Sequence, residues 1–137
     1  MNPPPLPCLP ARLLPGVDLR DGLAQVLSAR AGTDSAFVVA GIGSLSIAAL
    51  RLAGAAHAVT LRGDLELLTL SGTLGADGPH LHASVSDAAG HVTGGHVAPG
   101  CIVRTTVEVL LAPLPAGSLR RELDTGTGYA ELRVVAP

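Results

Sequence analysis

The sequence contains no lysine, no tryptophan, one phenylalanine (Phe37), one tyrosine (Tyr129) and two cysteines. All nine basic side chains are therefore arginines, and with eleven acids the formal net charge is −2. A protein that grips a phosphate backbone needs a basic stripe; here only Arg120 and Arg121 are adjacent. Paired aromatics for stacking single-stranded bases are missing too. Cys8 lies near the N-terminus and Cys101 deep in the chain. They form no CxxC pair, and their placement argues against a structural disulfide. The longest charge-free apolar run, Ser35 to Leu50, falls short of the roughly twenty residues that cross a bilayer. The opening MNPPPLPCLPAR lacks the basic-then-apolar order of a secretory signal. A cytoplasmic location, without membrane attachment, is the resulting expectation.

What is present is aliphatic. Hydrophobic residues make up 47% of the chain and the mean hydropathy is +0.46. At 137 residues the expectation is one domain, with residues 1–10 a Pro-rich flexible tail and 11–137 the folded unit. A short strand is expected at Ala11–Leu14. Asp18 then reads as a helix N-cap, with Leu19, Leu23, Val26 and Leu27 on one helical face and Gly32 as the stop. Afterwards the period changes to that of strands. Runs are expected at 36–40, 58–61, 65–70 (extendable through 71–74), 80–86, 102–111 and 130–135. Gly41–Ser44, Arg62–Asp64, Gly75–Pro79 and Pro113–Gly117 read as turns or loops. Residues 45–52 read as helix or strand on propensity. The pattern predicts an α+β fold: a mainly antiparallel sheet with one principal helix packed on it.

Four of the five histidines fall between His80 and His96. If 80–86 is a strand, His80 and His82 share one face and Leu81 takes the other. Ala88-Ala89-Gly90 suits a three-residue hairpin loop with glycine in its third place. Asp87 then faces His91, and paired positions sum to 178. That register sets His82 directly opposite His96, with His80 diagonal to it, at separations from which three imidazoles reach one ion. Gly94-Gly95 is a place where a bulge would spoil it. Three histidines without a fourth protein ligand describe an open site for zinc or another divalent transition metal. Glu66, Asp87 and Glu108 are candidate outer partners of the imidazoles. The plainer alternative is three histidines hydrogen-bonded on a sheet surface. His91 is assigned to the turn and His57 to a loop.

Other chemistry is weaker. Gly41-Ile42-Gly43 lacks the third glycine and following helix of a nucleotide loop. Ser44 has no nucleophile-elbow context. Arg121, Glu122 and Asp124 read as an ion-pair set, and Cys101 as a small buried hydrophobe.

Several of these stretches resemble one known family. Gly63-Asp64-Leu65-Glu66-Leu67-Leu68-Thr69-Leu70-Ser71-Gly72, His80-Leu81-His82-Ala83-Ser84 and Gly94-Gly95-His96 are similar to segments of the plants-and-prokaryotes conserved domain. That domain stands beside AT-hooks in plant nuclear proteins and alone in bacteria and archaea. Gly41-Ile42-Gly43-Ser44 resembles its early glycine turn, and Arg121-Glu122 with Asp124, Thr127-Gly128-Tyr129 and Glu131-Leu132 its C-terminal signature. The resemblance covers about residues 11 to 135. It implies a strand for 45–52, a homotrimer, and a metal ion, zinc foremost, on His80, His82 and His96. In plants the stretch matching 63–68 contacts transcription factors; here Asp64 and Leu65 replace the usual Arg and Phe, which argues against carrying that role over. DNA binding in the family comes from an Arg-Gly-Arg-Pro hook, and this chain contains no such tetrapeptide.

Three functions follow as expectations. The first is a trimeric metal-binding module of regulatory or small-ligand-sensing role. The second is a metal-dependent hydrolase or lyase with Glu66 as its base. The third is a DNA- or transcription-associated protein by family analogy, although the charge and the missing hook tell against direct DNA contact.

Overall fold

The structure, a computed structural model, describes residues 8–135. Strand β1 (Leu9–Leu13) leads to helix α1 (Leu19–Ser28), and seven more strands follow: β2 (Ser35–Arg51), β3 (Val59–Gly75), β4 (Gly78–Ser86), β5 (Val92–Val97), β6 (Ile102–Leu114), β7 (Leu119–Asp124) and β8 (Tyr129–Val134). Six form one antiparallel sheet in the order β1-β6-β2-β3-β4-β5, and β7-β8 form a separate hairpin. The α+β expectation with a mainly antiparallel sheet and one helix holds. Leu9 and Pro10, assigned above to the tail, belong to β1; residues 1–7 lie outside the described residues. No helix among the described residues is long and apolar enough to cross a membrane.

The helix forms where its capping signal stands. The Asp18 carboxylate accepts the backbone N–H groups of Arg20 (3.0 Å) and Asp21 (3.1 Å), two donors that helix geometry would otherwise leave unpaired. Its second oxygen accepts the Gly100 N–H at 2.7 Å, which ties the helix start to the β5–β6 connection. Leu19, Leu23 and Leu27 point inward and are buried. They pack on a core of Leu45, Leu50, Leu67, Leu70, Leu81, Val85, Val103 and Leu111. Cys101 is buried in the same core, as expected of a small hydrophobe, and burial pushes its thiol pKa up.

Two expected turns are absent. Gly41–Ser44 and Arg62–Asp64 lie inside strands of 17 residues each. Register shifts, not reversals, fall beside Gly43 and Gly63. Between Leu45↔Leu65 and Ile47↔Arg62, β3 advances three residues while β2 advances two, so one extra residue bends β3 without breaking the pairing. Turn composition identifies irregularity, but pairing to strands on both sides decides whether the chain reverses. Residues 45–52 are strand through Arg51. The hairpin strand β7 has no counterpart among the runs expected from sequence, because Arg120, Arg121, Glu122 and Asp124 give it little apolar alternation.

The bends curl the sheet until its edge strand returns to its middle. At the end of β2, Leu50 pairs with Val97 and Arg51 with His96 of β5. Gly95 makes this closure possible: a Cβ there would stand 2.7 Å from the Arg51 carbonyl oxygen. Gly72 plays the same part between β3 and β4, where a Cβ would collide with the His80 carbonyl oxygen. Gly72→Ala is therefore expected to destabilise the fold by about 1–3 kcal/mol through forced separation of β3 and β4, read as a lower urea midpoint. An unchanged midpoint would contradict this account of the strand contact.

Candidate metal centre

The hairpin of β4 and β5 has the register read from the sequence. His82 pairs with His96, Ser86 with Val92, and every pair sums to 178. The turn is closed by Asp87 N–H to His91 O (3.0 Å) and Gly90 N–H to Asp87 O (3.0 Å). Asp87 also accepts the Ala89 and His91 N–H groups, each at 2.9 Å, so turn residues satisfy one another. Gly94-Gly95 stay in register, without the bulge they made conceivable. Leu81, Ala83 and Val85 are buried, which commits the alternate residues His80 and His82 to the other face.

The three imidazoles meet there. Ring centroids are 5.3 Å apart for His80–His82, 5.0 Å for His80–His96 and 5.7 Å for His82–His96. One ligand nitrogen from each lies within 4.8 Å of the others. Small ring rotations close that spacing to what an ion at about 2.0–2.1 Å from each nitrogen requires. The His96 Nδ1 atom is buried without a hydrogen-bond partner. Buried ring nitrogens are costly when left so, and a metal ion would satisfy it. The donor set therefore fits a borderline transition metal such as zinc, with at least one coordination position left open.

The electrostatics also suit ligation, which needs neutral imidazole. Burial, then the neighbouring His80, Arg51, His82 and Arg20, lowers the His96 pKa from 6.5 to about 4. His80 is lowered by burial first, then by Arg121 and His82, with Glu131 acting against them. Sequence reasoning missed these three arginines and Glu131 as neighbours of the site. Arg51 arrives through the closure of β2 on β5, and Arg121 and Glu131 through the terminal hairpin, neither of which periodicity reveals.

The carboxylates suggested by the sequence do not come to the site. Glu66 pairs with Ser86, four residues from His82 along β4, or about 13 Å at 3.3 Å per residue. It borders a different cavity with Glu108, Ile42 and Leu68. Asp87 remains in the hairpin turn. His91 is exposed beside Asp87 (3.4 Å) and His57 is exposed between β2 and β3, as assigned. A further cavity of about 320 Å³ lies between the end of α1 and the β3–β4 turn, lined by Leu27, Leu74, Pro79 and Asp34. The Asp34 carboxylate is already engaged by Ser35 Oγ and the Gly117 N–H, each at 2.8 Å.

The lowered His96 pKa has a consequence for stability. Between pH 6.5 and about 4 the unfolded chain carries a proton on His96 that the folded chain lacks. Unfolding then takes up a proton, so metal-free protein loses stability as the pH falls through that window. Urea midpoints at pH 7.5 and pH 5 should show the loss, and His96→Gln should reduce it. A variant with the same pH dependence as wild type would contradict the assignment.

The chain is similar to several known proteins. The chain is 44% identical over 134 residues to the Bifunctional protein GlmU of a Synechococcus strain, covering 98% of this chain and 21% of that relative. It thus spans about a fifth of the length of the curated relatives it matches. A hypothetical protein from Salmonella enterica superposes with a TM-score of 0.88 at 38% identity, covering 94% of this chain and 93% of the other. A metal-containing protein from Archaeoglobus fulgidus gives 0.72 at 26% identity, with 90% and 91% covered. Neighbours at 17% and 23% identity, provisionally described as DNA-binding, speak to the fold alone. The Plants and Prokaryotes Conserved (PCC) domain matches residues 8–115, and the chain belongs to that family.

Proposed function

We propose that this chain is a metal-binding module, zinc being the favoured ion, that works as a homotrimer in a regulatory or ligand-sensing role. The observation that carries the reading is the convergence of His80, His82 and His96 within 4.8 Å, together with the orphaned Nδ1 of His96. Bound there, the metal would supply a Lewis-acidic position for one exogenous ligand. His80 and His82 come from one strand and His96 from its hairpin partner, so a stiff scaffold holds all three. The metal-containing relative from Archaeoglobus fulgidus lends support. The Synechococcus relatives, in which the matching region is about a fifth of a larger protein, favour an accessory module over a self-sufficient enzyme.

The trimer draws support from exposed apolar side chains on β2 and β3. Phe37 (42% exposed), Val39 (55%), Ile42 (56%) and Leu68 (43%) give a neighbouring copy apolar surface to cover. A hydrolase or lyase relying on Glu66 draws no support, since that carboxylate lies well along the strand from the histidines. Direct DNA contact is not part of the proposal, given a net charge of −2 and no lysine.

Elemental analysis of untagged protein, purified without a nickel column, is expected to find one transition-metal ion per chain. His82→Ala or His96→Ala should lower metal affinity by more than about 100-fold, with the hairpin retained by circular dichroism. Metal-free wild-type protein, or undiminished metal in the variants, would sink the proposal.

A further inference from the structure

The histidine cluster is set among arginines that come from three separate elements. Arg51, at the end of β2, stands opposite His96 in the strand pairing. With His82, His96, Gly94 and Gly95 it lines an open cavity of about 400 Å³. Arg121, from β7, donates from its guanidinium to Thr73 Oγ1 at 2.9 Å, and Thr73 is the strand partner of His80. Arg121 and His80 together border a second opening of about 380 Å³. Arg20, in the first turn of α1, donates to the carbonyl oxygen of Val97 at 3.2 Å, next in sequence to His96. Among the described residues, the arginine ion pairs are Arg104 with Asp64 and Arg133 with Glu122, so none of these three guanidiniums is neutralised by a carboxylate. The acids on this side are Asp77, whose carboxylate accepts the Arg121 backbone N–H at 2.9 Å and borders the same opening as His80, and Glu131, which acts on His80.

We propose that the open side of the histidine site, where Arg51 shares a cavity with His82 and His96, takes a small oxyanion, with one oxygen directed to the metal position and another held by the Arg51 guanidinium, while Arg121 adds positive charge beside His80. The inference rests on the metal reading above and names the chemical class of its exogenous ligand. Arginine suits such a ligand because its planar fork pairs with two oxygens of a carboxylate or phosphate at once. A divalent ion on three neutral imidazoles, set beside arginines, leaves a positive site that an anion would balance. Arg20, which donates to the Val97 carbonyl, adds positive charge near His96. Gly94 and Gly95, which carry no side chains, help keep the floor of the Arg51 cavity open.

The test is calorimetric titration of zinc-loaded, full-length protein at constant ionic strength, with inorganic phosphate and malonate as separate probes. Wild type is expected to bind at least one of them saturably, one anion per chain, and the probe that binds tells a tetrahedral from a planar ligand. Arg51→Gln and Arg121→Gln are each expected to weaken binding tenfold or more with zinc content unchanged. Arg51→Lys should be intermediate, and Arg62→Gln, remote on β3, should match wild type. Zinc-loaded protein indifferent to both anions, or Arg51→Gln and Arg121→Gln binding as tightly as wild type, would overturn this inference and leave the metal reading standing. Protein that takes up no zinc would overturn both.

Discussion

Two residue pairs, Leu50 with Val97 and Arg51 with His96, join the far end of β2 to β5 and close the curled sheet on itself. The functional geometry depends on that closure. Without it His96 would lie on a free edge strand, anchored only through β4, and edge strands fray and slip. With it, the backbone of β5 is held from both sides, and a histidine at its end has a fixed position relative to His82. The closure itself requires β3 to bend, which its extra residue near Gly63 provides. It also requires a glycine at position 95, where the two backbones nearly touch.

The helix serves the same end. Asp18 caps α1 and also fastens the Gly100 N–H, so one carboxylate orients the helix and the segment that follows β5. Arg20, the second helical residue after that cap, reaches the carbonyl of Val97. A local capping preference is thereby converted into a long-range constraint on the strand that carries His96. Burial of Leu19, Leu23 and Leu27 supplies the apolar free energy that holds the helix there.

The site was legible in the sequence because it is local. A hairpin register is fixed by its turn, and the turn chemistry of Asp87 to His91 is written in consecutive residues. From that register the pairing of His82 with His96 follows by counting. The helix was legible for the same reason: cap and apolar face lie within ten residues. What surrounds the histidines was not legible. Glu66, named from the sequence as the base and as an outer partner of the imidazoles, sits along the strand at another cavity. Of the charged groups that act on the cluster, Arg51 arrives by sheet closure, Arg20 from the start of α1, and Arg121 and Glu131 by a terminal hairpin whose first strand has no clear apolar alternation. Gly43 and Gly63 carried a turn signal that the flanking strands overrode, since a bulge keeps hydrogen bonds that a reversal would break.

The central claim is that three neutral imidazoles from one hairpin hold a metal with an open position. X-ray absorption at the zinc edge, on untagged protein loaded with one equivalent of zinc, tests it most directly. The account predicts a four-coordinate centre with three imidazoles at about 2.0 Å and one further light-atom ligand. A sulfur scatterer at about 2.3 Å, or a spectrum of hydrated zinc without imidazole, would contradict it.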